Sequence, residues 1–282
     1  MEQWILFIQI EENELLSMEL KSVEQLCTRI REHGWQVVRL TERNLLEGLR
    51  REHAVAIVQN VFWYSFLEER DIAVVGWEYE NSLEHMPGKY ILQGLDSVGI
   101  EYLTEVYRRF HGIPLDILET KRCLLREQTL EDLENLFAIY EQPHMTDYIE
   151  PLYEWKEEVV YQKAYIEHVY GLYGYGLWAV IHKESGKLIG RAGIETRENC
   201  KENEVEMGYA ISTEYQNQGY ATEVCMGILE YVKEHLPEDT VICRVDNRNV
   251  YSRKLLTKLG FTMRQGTGWT EDKEIVYERV PL

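Results

Sequence analysis

Apolar positions in the first hundred-odd residues follow two alternating rhythms. "WILFIQI" is almost uninterrupted and predicts a strand buried on both faces. Leu16, Leu20, Val23, Leu26 and Ile30 then recur at helical spacing, predicting a helix that ends near Gly34. "QVVRLT" predicts a short strand and "ERNLLEGLRREH" a helix. "AVAIVQN" and "IAVVGWE" predict two more buried strands flanking the helical "FWYSFLEER". "KYILQGL" and "VGIEYLTEVYRRFHG" close the series. Buried strands alternating with helices predict a Rossmann-like α/β domain, a parallel sheet covered on both sides.

The rhythm changes after Pro114, which interrupts the preceding helix, and the boundary is expected near residue 118, giving domains 1–117 and 118–282. "CLLRE" predicts a strand and "LEDLENLFAIYE" a helix, with Thr129 as N-cap and Asp132 three positions on in a capping-box arrangement. An irregular acidic-aromatic region, "QPHMTDYIEPLYEW", precedes the helical "KEEVVYQKAYIEHVYGLY". "GLWAVIHK" and "KLIGRAGIE" around the turn "ESG" predict a hairpin. "NEVEMGYAIS" adds a strand, then come a long helix, the strand "TVICRVD", the helix "NVYSRKLLTKLG" and strands "FTMRQG" and "KEIVYERV". The expected second domain is an α+β fold with a mixed sheet.

A formal net charge of -19 opposes binding to nucleic acid or to an anionic membrane, both of which depend on Lys and Arg. The five cysteines are scattered without a C-x-x-C pair, which argues against a disulfide framework or zinc knuckle and for a cytoplasmic protein. No apolar stretch approaches the ~20 residues of a membrane-spanning helix. The acidic flanks of the N-terminal run mark it as a strand rather than a signal peptide. The histidines show no H-x-x-x-H spacing, so no metal is expected.

The stretch "EYQNQGYATEV" carries the chemistry. A helix that begins near Gly219 exposes N–H groups without intrahelical partners at the positive end of its dipole. Gly219 and Ala221 remove side chains that would keep a diphosphate from those groups. No Lys-Ser or Lys-Thr follows, so this is not an ATP-type P-loop. In the preceding strand, alternation sends Val205, Met207, Tyr209 and Ile211 to one face. Glu204, Glu206, Gly208 and Ala210 go to the other. A carboxylate followed by two minimal side chains suggests either room for a ligand or a face covered by a helix.

Gln216-Asn217-Gln218-Gly219-Tyr220-Ala221 resembles the [Q/R]-x-x-G-x-[G/A] acetyl-CoA motif of the GNAT acetyltransferase superfamily. "RCLLREQTLEDLENL", "VEMGYAISTEYQNQGYATEV" and "VDNRNVYSRKLLTKLGF" are similar, in order, to segments of its ribosomal-protein N-acetyltransferase branch. The likeness covers residues 120–282 and implies a splayed central sheet. It also implies that Gln216, Asn217, Gln218, Gly219, Tyr220 and Ala221 hold the pyrophosphate of acetyl-CoA through main-chain amides. The backbone of Tyr209, Ala210 and Ile211 would run along the pantetheine arm, with Asn249 near it, although Asn249 is equally suited to capping the next helix. The first half loosely resembles a haloacid-dehalogenase-like core. The strand "ILFIQIEENE" lacks that family's Asp nucleophile and no G-x-G-x-x-G follows a strand, so a non-catalytic scaffold or interaction domain is expected.

Acetyl transfer needs a neutral amine, so a base is required. Glu206 is the candidate, its pKa raised by burial. Leu256 occupies the position where many superfamily members carry a Tyr acid, which leaves Ser252 as the candidate proton donor or else a hydroxyl on the helix surface. Asp147 with Glu150 and Glu154 could attract a cationic amine, with Tyr148, Tyr153 and Trp155 as aromatic walls. Acidity for solubility alone would produce the same loop. The acceptor is a small-molecule amine or a protein N-terminus, and a homodimer is compatible with the sequence. The alternative is a non-enzymatic acyl-CoA-binding module whose first domain signals occupancy to a partner.

Overall fold

The computed structural model describes residues 4–11, 15–40, 52–79, 85–197, 200–237, 240–264 and 274–280. The chain divides into two compact units, Met1–Ile113 and Pro114–Leu282. The helix expected over "ERNLLEGLRREH" and the end of "FTMRQG" lie mostly outside the described residues.

The first unit holds a five-stranded sheet in the order β2-β1-β3-β4-β5, from β1 (Ile5–Gln9), β2 (Gln36–Arg39), β3 (Ala54–Val58), β4 (Ala73–Trp77) and β5 (Ile91–Leu92). Every pairing in it is parallel. Strands β1, β3 and β4 are buried along their whole length, as continuous apolar runs require. Helix α1 (Ser17–Glu32) and helix α3 (Ile100–Phe110) supply Val23, Leu26, Ile30, Leu103 and Val106 to a core shared with Leu6, Ile8, Val55 and Ile57. Helix α2 (Val61–Glu68) packs Trp63, Tyr64 and Leu67 against Ile5, Phe7, Ala54 and Ala56, the alternate residues of the same strands.

The second unit is built on an eight-stranded sheet in the order β12-β13-β11-β10-β9-β8-β7-β6. Its strands are β6 (Asp116–Glu119), β7 (Cys123–Arg126), β8 (Leu177–His182), β9 (Leu188–Glu195), β10 (Glu204–Ile211), β11 (Thr240–Asp246), β12 (Thr262–Met263) and β13 (Glu274–Arg279). All neighbours are antiparallel except β10 and β11. Strand β6 pairs with β7 into this sheet, so the sheet starts ahead of residue 118 and the unit boundary falls at Pro114.

Thr129 and Asp132 form the expected capping box, with the Thr129 N–H donating to Asp132 Oδ2 at 2.8 Å, ahead of α4 (Leu133–Tyr140). Arg126 clamps the same carboxylate with two bonds of 2.7 Å. The long helix predicted after the irregular loop is interrupted: α5 (Trp155–Ala164) passes into a π-helical turn over Tyr165–Tyr170 and then the short α6 (Gly171–Tyr173). Helices α7 (Tyr220–His235) and α8 (Val250–Lys258) complete the unit. Val224, Ile228 and Val232 of α7 and Leu256 of α8 share a core with Val205, Met207, Trp178 and Cys243.

Candidate active site

Strand β10 pairs with β9 from Glu206↔Glu195 to Ile211↔Gly190. On its other edge it pairs with β11 only over Glu204–Glu206, the last match being Glu206↔Ile242. Strand β11 nonetheless continues to Asp246, held by β13 on its far side. The two strands therefore part after Glu206, and among the described residues the edge of β10 carrying Tyr209, Ala210 and Ile211 has no ladder partner there. An unpaired strand edge is a template for an extended polar chain.

Beyond Ile211 the chain turns into α7 through residues in the left-handed region, Asn217 at φ 59° and Gly219 at φ 84°. Glycine tolerates this conformation without the Cβ clash other residues meet. Among the described residues, none accepts a hydrogen bond from the N–H groups of Tyr220 or Ala221, as expected at a helix start. The neighbouring side chains brace the turn and leave those groups open. Gln216 Nε2 donates to the Ile211 carbonyl at 2.9 Å, and Gln218 Nε2 to the Glu214 carbonyl at 2.7 Å. Arg122 Nη1 donates to the Gln218 carbonyl at 3.1 Å, while its guanidinium lies 3.9 Å over the Tyr220 ring.

Arg122 is fixed in turn by Glu223 in the first turn of α7, Nε to Oε2 at 2.6 Å. The other Glu223 oxygen accepts from Thr120 Oγ1 at 2.7 Å and the Arg122 N–H at 2.6 Å. Burial opposes the charge on Glu223, but these bonds from Thr120 and Arg122 outweigh it and hold the carboxyl below its ordinary range. The helix mouth thus has a fixed guanidinium beside free amide donors, an arrangement suited to a phosphate.

Glu206 is 8% exposed at the point where the strands separate. It is ion-paired with Arg244 of β11, and Arg197 Nε lies 3.8 Å from Oε2. Glu195, its cross-strand neighbour, accepts from Arg197 Nη2 at 3.0 Å and from the Tyr165 hydroxyl at 2.8 Å. Burial is the largest influence and pushes the Glu206 carboxyl above its usual value, against the lowering effect of Arg197 and Arg244. Of the two readings of the face over Gly208 and Ala210, the covered one holds here. Leu177 Cδ2 lies 3.3 Å from where a Cβ on Gly208 would sit, a tight contact, and Ala210 packs with Ile139, Tyr140 and Met145. Small side chains there admit the covering elements, and the opening lies along the strand edge instead.

On the opposite face, the Tyr209 hydroxyl is buried without a hydrogen bond of ordinary geometry. Burial raises its pKa, with Ser252 of α8 the polar side chain that offsets this. Asn249 Oδ1 accepts from the Ser252 N–H at 3.0 Å, so the Asn249 side chain caps α8. Leu256 is buried in the core.

The acidic-aromatic loop divides the expected acceptor residues. Asp147 pairs with an exposed His144 at 2.9 Å. Arg248, held by Asp246 at 2.6 Å, brings its guanidinium within 5.8 Å of the Tyr148 ring, so the loop reaches the C-terminal end of β11. Tyr153 packs on Tyr161, and Trp155 on Phe137. None of these four lines the cavity of about 530 Å³ that opens beside Arg197. Its walls come from Glu150 of the loop, Tyr161 of α5, Tyr165 of the π turn, Tyr173 of α6, Tyr175 beyond it and Glu195 of β9.

The sequence reading missed Arg244, Arg197 and Glu195 around Glu206, and Arg122 and Glu223 at the helix mouth. Arg244 left a signal, since it is a lone cation in the apolar "TVICRVD" at the same strand phase as Ile242. The others left none, because Arg122 and Glu223 meet across 101 residues. Among the described residues no group of His, Cys, Asp and Glu could hold a metal ion, and no helix is long and apolar enough to cross a membrane.

Comparison with known proteins gives the family. The family model of the acetyltransferase (GNAT) domain matches residues 122–262. The uncharacterized N-acetyltransferase YoaA of Bacillus subtilis is 30% identical over 148 residues, 51% of this chain and 82% of YoaA. The uncharacterized N-acetyltransferase YjdG of the same organism is 26% identical over 157 residues, 52% of this chain and 90% of YjdG. Among solved structures, an acetyltransferase from Agrobacterium tumefaciens superposes with a TM-score of 0.51 at 21% identity, covering 58% of this chain and 94% of that one, a likeness of fold.

Proposed function

This chain belongs to the GNAT acetyltransferase family, and we propose that it transfers an acetyl group from acetyl-CoA to a primary amine, with Glu206 as the base. The observation that carries the reading is the parting of β10 from β11 immediately after Glu206, with open amide donors at the start of α7 beyond it. The strand edge and helix mouth fit the two parts of the carrier. The N–H groups of Tyr220 and Ala221, with Arg122 beside them, suit a diphosphate. The edge of Tyr209–Ile211 suits the amide-bearing arm.

Acetyl-CoA supplies the activated acyl group when bound. Glu206 takes a proton from the ammonium form of the acceptor, which frees the nitrogen lone pair for attack. A carboxylate of ordinary pKa is a weak base at neutral pH, so the upward push of burial on Glu206 favours this role. Arg197 and Arg244 oppose that push by favouring the ionised carboxylate. As the C–N bond forms and the C–S bond breaks, the nitrogen sheds its excess proton, and Ser252, half-buried at the start of α8, is the candidate hydroxyl to pass that proton to the departing thiolate, taking one up as it gives one. A small-molecule amine and a protein N-terminus are both acceptors compatible with this chemistry.

The test is thiol release from acetyl-CoA with a panel of amines, run beside calorimetry with CoA. Turnover that falls in Glu206→Gln while CoA affinity holds supports the reading. Tight CoA binding without turnover on any amine would remove the transferase role, and absence of CoA binding would remove the whole assignment.

A further inference from the structure

The cavity beside Arg197 has a composition that selects its occupant. Tyr165 and Tyr175 form its buried floor, at 7% and 6% exposure, while Tyr161 and Tyr173 stand half-exposed at its mouth. The floor is fixed. The Tyr165 hydroxyl donates to Glu195 at 2.8 Å and accepts from the Leu177 N–H at 2.7 Å. The Tyr175 and Thr196 hydroxyls lie 2.7 Å apart. The π turn at Tyr165–Tyr170 contributes Tyr165 and Val169 to the cavity, and its wider winding re-aims side chains, a device concentrated at functional sites.

The charges divide just as clearly. Arg197 is neutralised by Glu195 at 3.0 Å and Glu206 at 3.8 Å, with Arg244 on Glu206 as well. Glu150 also lines the cavity, and among the described residues none forms a hydrogen bond or ion pair with it. Aromatic faces and a spare carboxylate attract a cation, whereas a carboxylate-bearing guest would meet Glu150 and Glu195.

We propose that this cavity is the acceptor's binding pocket and that the acceptor is a diamine. One nitrogen lies toward Glu206, past Arg197, and the other stays protonated among Tyr161, Tyr173 and Glu150. The inference rests on the transferase reading for the first nitrogen, but the pocket's preference for a second cation is measurable without turnover.

The experiment is calorimetric titration of the full chain, saturated with CoA, with 1,6-diaminohexane and with hexylamine. The diamine is expected to bind at least about tenfold more tightly than the monoamine, about 1.4 kcal/mol. Glu150→Gln and Tyr161→Leu should each erase most of that difference while leaving CoA affinity intact. Both residues lie at the surface, so folding should survive, and circular dichroism checks it. Equal affinities, no binding of either probe, or a preference that survives Glu150→Gln would overturn the proposal. Turnover of monoamines without diamine preference would sink this inference and leave the acetyltransferase reading standing. Diamine preference without thiol release would overturn the acceptor role and leave only a diamine-binding cavity.

Discussion

Glu206 and Ile242 form the last matched pair of the one parallel seam among the described residues of the second sheet, and past them the strands diverge. The carboxylate therefore sits at the vertex of a cleft, backed by Arg244 and Arg197 and largely withdrawn from water.

Replacing Glu206 by Gln keeps the shape and removes the base. General base catalysis is worth about 100- to 10,000-fold, so kcat should fall within that range while CoA affinity stays the same. Unchanged kcat across pH would assign Glu206 to positioning alone.

Activity should rise with pH through a group titrating above the ordinary glutamate value, because burial raises Glu206 and the active form is deprotonated. Arg244 lowers that pKa, so Arg244→Met should move the acidic limb of kcat/KM to higher pH. The amine's own titration is identical for both enzymes, so the difference between the two profiles reports the carboxyl.

Gly219→Ala places a Cβ on a residue at φ 84°. The left-handed region costs a non-glycine residue about 1–2 kcal/mol, with relaxation of the turn as the way out. Weaker CoA binding by calorimetry, with only a modest fall in Tm, is expected. An unchanged CoA affinity would separate this turn from the carrier site.

Glu223→Ala strips Thr120 and Arg122 of their shared acceptor. Leaving such partly buried donors unsatisfied costs about 1–3 kcal/mol. The Glu223 pKa is lowered on folding, so its stabilisation is fully present above the unfolded carboxylate value and is lost as pH falls through the folded one. The Tm gap between the native chain and Glu223→Gln should therefore close in acid.

Ser252→Ala removes a hydroxyl but spares the α8 cap, which uses the Ser252 N–H. As the proton donor, its loss should cost about 100-fold in kcat. No loss would make it a helix-surface hydroxyl facing Tyr209.

The sequence by itself determined the layered first unit, the hairpin and strand–turn–helix of the second, and the turn around Gly219. Each of these depends on local periodicity, turn chemistry or a left-handed backbone position, which neighbouring residues encode. It also determined which β10 side chains share a face, since alternation is a local property of a strand. Tertiary structure alone decided where β10 parts from β11, that Arg244 and Arg197 meet Glu206, and that Arg122 reaches Glu223. It also decided that a π turn sets Tyr165 and Val169 against a cavity. Those facts depend on register between strands and on contacts between distant segments, and no local pattern of side chains carries either.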